Sequence, residues 1–180
     1  MKSNTKDKKI IEGLSRHLFH VKELGTYYLF LAQQAQKMGM LNFSDYLKEL
    51  SDDKSSTHKT LIYEYLNKLD VLLDPKVQKE ENMSLVVLDS PEEIIDKLYE
   101  SEENDRARVE EFADLCFDLK DHETYSFWKW FIDDALKDLE EVRNIKDAFE
   151  MAKQSSKCLL IVDMRIKQLM EVEEDGNECK

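Results

Sequence analysis

Residues 90–119 read SPEEIIDKLYESEENDRARVEEFADLCFDL and carry the clearest helix signature in the chain. Ser90 can accept a hydrogen bond from the free amides of the first turn, Pro91 suits the first helical position, and Glu93 can complete a capping box. Inward-facing positions then recur at steps of three and four. They are Ile95, Leu98, Glu102, Asp105, Val109, Phe112, Cys116 and Leu119. The pattern predicts a long bundle helix whose buried stripe carries two acids, Glu102 and Asp105.

The same spacing predicts four further helices, at about residues 6–37, 43–68, 123–153 and 157–170. Between residues 70 and 89 the helical period is lost, and this connection is long enough to travel the length of a helix. The predicted fold class is all-α, a four-helix bundle with one long crossover between helices 2 and 3, plus a short C-terminal fifth helix. We expect a single domain over residues 1–180, with the bundle at about 6–153 and a mobile acidic tail at 171–180.

The composition narrows the classes of partner. A chain of 180 residues suits one domain with a substantial core. The net charge of −13 repels phosphate backbones, so we expect multivalent cations rather than nucleic acid as partners. No apolar run is long enough to span a bilayer, and the N-terminus leads into no apolar signal core. We therefore expect a cytoplasmic protein without membrane association.

Three residues on different predicted helices form half of a metal site. Glu23 lies on the first helix, His58 on the second and Glu102 on the third, each at an inward position of its stripe. Carboxylate and imidazole ligands suit iron in both of its common oxidation states. The function depends on whether this half-site still binds metal.

The chain resembles the bacterial-type, non-haem ferritins. The resemblance rests on residues 23–28 (ELGTYY), on His58 followed by residues 61–66 (LIYEYL), and on a stretch from Tyr99 to Ile132 that aligns without gaps. It covers about residues 9–169 and implies the ferritin-like bundle. It also implies a hollow homo-oligomeric cage, expected to contain twenty-four subunits, that stores iron as a ferric mineral. Haem is not expected, because the haem-ligating Met of bacterioferritins falls on Ser56.

The resemblance also implies a di-iron oxidation centre inside each bundle, and here this ferroxidase centre is degenerate. The family's ligands on the first three helices fall on Glu23, His58 and Glu102, but its bridging Glu falls on Ser55. The Gln and Glu of its fourth helix fall on Ala135 and Asp138. A site without the bridging carboxylate should bind a pair of irons poorly.

Two added polar residues occupy positions that are apolar in the family. His20 precedes Glu23 by about one turn and Asp105 follows Glu102 by about one turn. The first and third helices run antiparallel in this topology, so the two residues should meet. We predict that a protonated His20 pairs with Asp105 and fills the gap left by the missing ligands. The alternative is a metal site displaced by one turn.

A second candidate metal site lies on the fourth helix. Asp134, Asp138 and Glu141 share one face, which ferritins direct towards the cavity, and Asp53 of the second helix is a further candidate. These acids are predicted to bind iron at the inner surface. The alternative is an ordinary solvated face, and Lys137 and Lys54 beside these acids count against metal binding.

Three functions follow from these patterns. The first is iron storage with ferrous iron oxidised weakly or at an atypical inner-surface site, which would make the protein a ferroxidase. The second is an iron-binding or structural cage that does not catalyse oxidation. The third is a DNA-protecting mini-ferritin, which the acidic balance and the predicted fifth helix oppose.

Overall fold

The computed structural model describes residues 6–74, 76–77, 83–152 and 158–177. Its helices are α1 (Lys8–Lys37), α2 (Leu41–Asp52), a π-helical turn (Asp53–His58), α3 (Lys59–Lys68), α4 (Pro91–Asp118), α5 (His122–Ala152) and α6 (Cys158–Asn177). The part of the chain that the structure describes contains no β-strand. The predicted all-α fold class is confirmed.

Four long helical rods make up the bundle. The segments α2, the π-helical turn and α3 follow one another without a break and form the second rod. This rod packs along α1, and α4 packs along α5. The connection from α3 to α4 is the long crossover that the sequence predicted. Helices α1 and α2 are joined by a short turn in which Gly39 has a φ of 82°, a left-handed conformation that favours glycine.

The start of α4 has the predicted capping residues. Ser90 Oγ accepts a hydrogen bond of 3.2 Å from the amide of Glu93. The Glu93 carboxylate in turn accepts one of 2.9 Å from the amide of Asp89, one residue before the cap. Pro91 occupies the first helical position. This arrangement satisfies amides that an uncapped helix would leave without partners.

Helix α6 packs against α2 and α5. The buried carboxylate of Asp163 accepts hydrogen bonds from the amides of Asn42 and Phe43 at 3.2 Å and 3.0 Å, and so caps the start of α2. The helix continues to Asn177, whereas the sequence predicted an end near Met170 and a mobile tail beyond it. None of the described helices is long and apolar enough to cross a membrane.

The buried core is divided into two apolar clusters. The first includes Leu24, Leu47, Leu98 and Val142. The second includes Leu14, Ile62, Val109, Trp128 and Phe131. On each rod, the residues between the two clusters include buried polar ones. These are His20 on α1, Lys54 and His58 in the π-helical turn, Glu102 and Asp105 on α4, and Asp138 on α5. The middle of the bundle is therefore a polar layer between two apolar halves.

Candidate metal centre

The π-helical turn decides which side chain of the second rod reaches the polar layer. Regular α-helical spacing would place Ser55 inward, on the same face as His58. Instead Lys54 is fully buried and Ser55 is only partly buried. A π-helical turn closes over one more residue than an α-helical turn, so it shifts the register of the helix face. The sequence-based prediction of an inward Ser55 is therefore corrected.

The contact between α1 and the second rod favours this register. A Cβ atom at Gly25 would lie 2.9 Å from Ser55 Cβ and 3.0 Å from the carbonyl oxygen of Ser51, so only glycine fits without a shift. Ser51 Oγ donates a hydrogen bond of 2.7 Å to the carbonyl of Gly25. Ser55 Oγ donates one of 2.6 Å to the carbonyl of Ser51, a bond that competes with regular helix geometry. Ser55 thus faces α1, and Lys54 turns to the bundle centre.

The ammonium group of Lys54 lies among three carboxylates. Its Nζ atom is 2.7 Å from Asp138 Oδ2, 3.2 Å from Asp105 Oδ2 and 3.8 Å from Glu102 Oε2. The side chains of Lys54 and Glu102 are completely shielded from solvent. We call these four residues the Lys54 cluster. A buried charge is stable only when it is paired and hydrogen-bonded, and this cluster supplies both signs.

Two further side chains contact the cluster from α1. His20 Nε2 lies 3.1 Å from Asp105 Oδ1, so the two residues that the helix directions were predicted to bring together are in contact. Tyr28 Oη donates a hydrogen bond of 2.6 Å to Glu102 Oε1. Because Lys54 already brings a positive charge to Asp105, that carboxylate does not need a protonated His20.

The pKa values of the cluster show how its charges are balanced. Burial lowers the pKa of Lys54, but the three carboxylates outweigh burial and hold that pKa well above its ordinary value. Burial alone would raise the pKa of Asp105, yet Lys54 and then His20 hold it well below its usual range. Burial raises the pKa of Glu102 to about 7, and Lys54 opposes this rise. At neutral pH, Lys54 and Asp105 are therefore charged, and Glu102 takes up a proton more readily than an exposed carboxylate.

His58 lies in a second group of acids, next to the Lys54 cluster. Its Nε2 atom is 2.8 Å from Asp134 Oδ2 and 3.0 Å from Asp53 Oδ2. Ligand atoms of Asp53, His58, Asp134 and Asp138 all lie within 4.8 Å of one another. We call these four residues the His58 site. Its imidazole is buried, whereas the side chains of Asp53 and Asp134 are 35% and 19% exposed, so the site opens towards solvent.

The surroundings of His58 suit a metal ligand. The ring packs edge-on against Trp130 and Phe131, with centroid distances of 5.1 Å and 5.4 Å, and these contacts limit its orientation. Burial lowers the pKa of His58, but hydrogen bonds to Asp134 and Asp53 outweigh burial and raise that pKa above its ordinary value. A divalent cation has to displace the proton that these two carboxylates hold on the imidazole.

The ferritin-like domain family matches residues 11–152, which is most of the bundle. The chain belongs to the ferritin family. Two uncharacterized relatives come from Ureaplasma. The protein of Ureaplasma parvum serovar 3 is 34% identical over 171 residues, covering 94% of this chain and 98% of the relative. The homologue from Ureaplasma urealyticum is 32% identical over 167 residues, covering 92% and 93%.

Solved ferritins share the fold of this chain. The crystal structure of the M. penetrans ferritin superposes with a TM-score of 0.82 at 22% identity, covering 91% of this chain and 97% of that one. An open pore ferritin from the hyperthermophilic archaeon Archaeoglobus fulgidus gives 0.81 at 19% identity, covering 90% and 98%. At these identities the likeness shows a common fold.

The structure does not bring the three residues of the predicted remnant centre into one compact ligand group. Within the described residues, Glu23, His58 and Glu102 do not form a three-ligand group. Glu102 belongs to the Lys54 cluster and His58 to the His58 site, while Glu23 is partly buried and belongs to neither. Ala135, at a position where the family carries a ligand, is packed in the second apolar cluster.

The predicted inner-surface acids are brought together in part. Asp53, Asp134 and Asp138 meet at the His58 site, and His58 joins them. Glu141 is not a member of this group, and it lies 3.1 Å from Lys137 Nζ. Asp138 is buried with Oδ2 against Lys54, so it points into the bundle and not towards a cavity as the sequence suggested.

The structure places Lys54 differently from the sequence-based prediction. It was predicted to lie beside Asp53 on the solvated face, where it would weaken cation binding. No local signal pointed to Lys54, because regular α-helical spacing puts Ser55 on the inward face with His58. Ser55 was assigned to that position because it continues the stripe of the second helix and falls where the family carries its bridging Glu.

Proposed function

We propose that this ferritin stores iron and that ferrous iron binds at the His58 site. The observation that carries the proposal is the buried imidazole of His58 with two carboxylates within 3.0 Å of its Nε2 atom. One imidazole and several carboxylate oxygens form a ligand set suited to ferrous iron. The partial exposure of Asp53 and Asp134 gives a hydrated ion access to the group. Family membership supports iron as the cation.

We further propose that the chain assembles into a closed shell of twenty-four subunits with the His58 site directed at its cavity. Each ferrous ion bound there gives up one electron, so two ions oxidised in turn reduce one dioxygen, which takes up two protons from solvent to form hydrogen peroxide. The ferric product passes to the mineral. The expected ferroxidase activity is weak, because the di-iron centre inside the bundle is replaced by the Lys54 cluster. Native mass spectrometry of the assembly tests the subunit number, and a shell of twelve would indicate a mini-ferritin instead.

Metal titration of the wild type and of matched variants tests the site. His58→Gln and Asp134→Asn should each lower the affinity for Fe²⁺, measured without oxygen, by at least about tenfold, since each removes a direct ligand. Asp133→Asn is the control, because it removes the same charge from an exposed position one residue away. Equal affinities for the wild type and the His58 variant would exclude the site.

A cage that binds iron without catalysing its oxidation is the second candidate. The Lys54 cluster favours it, because its ammonium group contacts both Glu102 and Asp138, which match iron ligands of the family. Ferrous oxidation kinetics separate the two functions. If the protein is a ferroxidase, it should oxidise ferrous iron faster than buffer alone does, and this acceleration should be smaller in Asp134→Ala and Asp138→Ala. If the protein is a cage without catalytic activity, the wild type should not oxidise ferrous iron faster than buffer alone does.

A further inference from the structure

We propose that the ammonium group of Lys54 is a built-in cation that takes the place of a metal ion at the bundle centre. We further infer that removing this side chain opens a divalent-metal site formed by Glu102, Asp105 and Asp138. The first part of the inference stands on the Lys54 cluster alone. Its consequence, that each subunit binds one ion at the His58 site rather than a pair of ions, rests on the proposed function.

The geometry of the cluster resembles that of carboxylates around a metal ion. Two helices supply the three acids, Glu102 and Asp105 from α4 and Asp138 from α5, and all three face one point. The Nζ atom at that point lies between 2.7 Å and 3.8 Å from one oxygen of each. Divalent cations bind carboxylate oxygens at about 2.0–2.6 Å. Asp138 is already near that distance, so shifts of about 1 Å by Asp105 and Glu102 would convert the ammonium site into a metal site.

The bundle needs a cation at this point. Three carboxylates meet where Asp105 and Glu102 are shielded from solvent, and ionised acids in such a place repel one another. His20 contacts Asp105, and the neutral hydroxyl of Tyr28 donates a hydrogen bond to Glu102. A buried carboxylate without a counter-charge is strongly destabilising, so an amine or a metal must fill this position, or else the acids must lose charge by protonation. This chain carries its own amine.

Lys54 also explains why the neighbouring site should take a single ion. Asp138 belongs to both groups, and its Oδ2 atom lies 2.7 Å from the ammonium. A metal ion at the His58 site therefore lies next to a fixed positive charge. A second metal ion on the inner side of Asp138 would have to displace that charge from all three acids.

The test compares Lys54→Met with Lys137→Met. The first removes the buried amine, and the second removes an exposed amine that also pairs with an acid. Zn²⁺ is the probe, and bound ions per subunit are counted by native mass spectrometry. We expect Lys54→Met to bind one more ion than the wild type and Lys137→Met to bind no more. The extra ion should be lost in the double variant Lys54→Met with Asp105→Asn.

The outcomes separate this inference from the proposed function. An unchanged ion count in folded Lys54→Met overturns the inference, whatever the wild type binds at the His58 site. A gained ion in Lys54→Met supports the inference even if the wild type binds none. If Lys54→Met does not fold in chelator, it is refolded across a range of Zn²⁺ concentrations. Recovery that depends on Zn²⁺ supports the inference, and failure at every concentration overturns it.

Discussion

Loss of the Lys54 amine should destabilise the fold strongly when no metal is present. Lys54→Met removes a cation that is completely buried and lies 2.7 Å and 3.2 Å from two acids. Removing one partner of a buried ion pair costs about 3–5 kcal/mol. The lower end applies at neutral pH, because burial raises the pKa of Glu102 and Lys54 opposes this rise, so without the amine that acid takes up a proton more readily. We therefore expect a loss of about 3 kcal/mol, or ~6–12 °C in Tm for a domain of this size.

Far-UV circular dichroism in the presence of a chelator measures this loss. Wild type and variant are compared at equal protomer concentration, because assembly changes the apparent stability. Lys137→Met is the control, since its side chain is 61% exposed and its surface ion pair should contribute less than about 1 kcal/mol. The loss in Tm caused by Lys54→Met should grow with rising pH, because the acids left without the ammonium group lose their protons. A Tm within about 2 °C of the wild type would refute the argument that the acids require a cation.

Three further predictions follow from single contacts. The His58 pKa is raised in the folded state by its ion pairs with Asp134 and Asp53. These ion pairs therefore stabilise the fold fully below about pH 6.5, and their effect is lost as the pH rises through the folded pKa. Urea unfolding should therefore show a larger deficit for His58→Gln at about pH 6 than at about pH 9, and the opposite trend would contradict the ion pairs. Gly25→Ala should lower the free energy of unfolding by about 1–3 kcal/mol, because the added Cβ atom forces α1 and the second rod apart. Thr26→Ala, at an exposed position, should lower it by less than about 0.5 kcal/mol in the same assay. Burial raises the pKa of Cys116 to about 12, so mass spectrometry should find it unmodified by iodoacetamide until the protein is unfolded.

The helices could be predicted from the sequence because their signals are local. Ser90 and Pro91 mark the start of α4, and the steps of three and four along its stripe place Glu102 and Asp105 inside. The π-helical turn could not be predicted in this way. It depends on the close approach of α1 to the second rod at Gly25, a contact between residues far apart in the chain.

The shift in register explains the differences at the site. With Ser55 inward, His58 belongs to the interior and Asp53 to the surface. With Lys54 inward, His58 lies between Asp53 and Asp134, and the interior is filled by an amine. Glu102 and Asp105 could be predicted as site residues because they interrupt an apolar stripe. Asp134 and Asp138 could be predicted because they share a helix face. A buried lysine gave no such signal, because its stability depends on three acids from other helices.

Anomalous diffraction from wild-type crystals soaked with ferrous iron would show whether iron binds at the His58 site or inside the bundle. We expect one ion per subunit, bound by His58 Nε2 with Asp53 and Asp134, while Lys54 keeps its contact with Asp138. Two irons bound inside the bundle by Glu23, His58 and Glu102, with Lys54 displaced, would contradict this expectation.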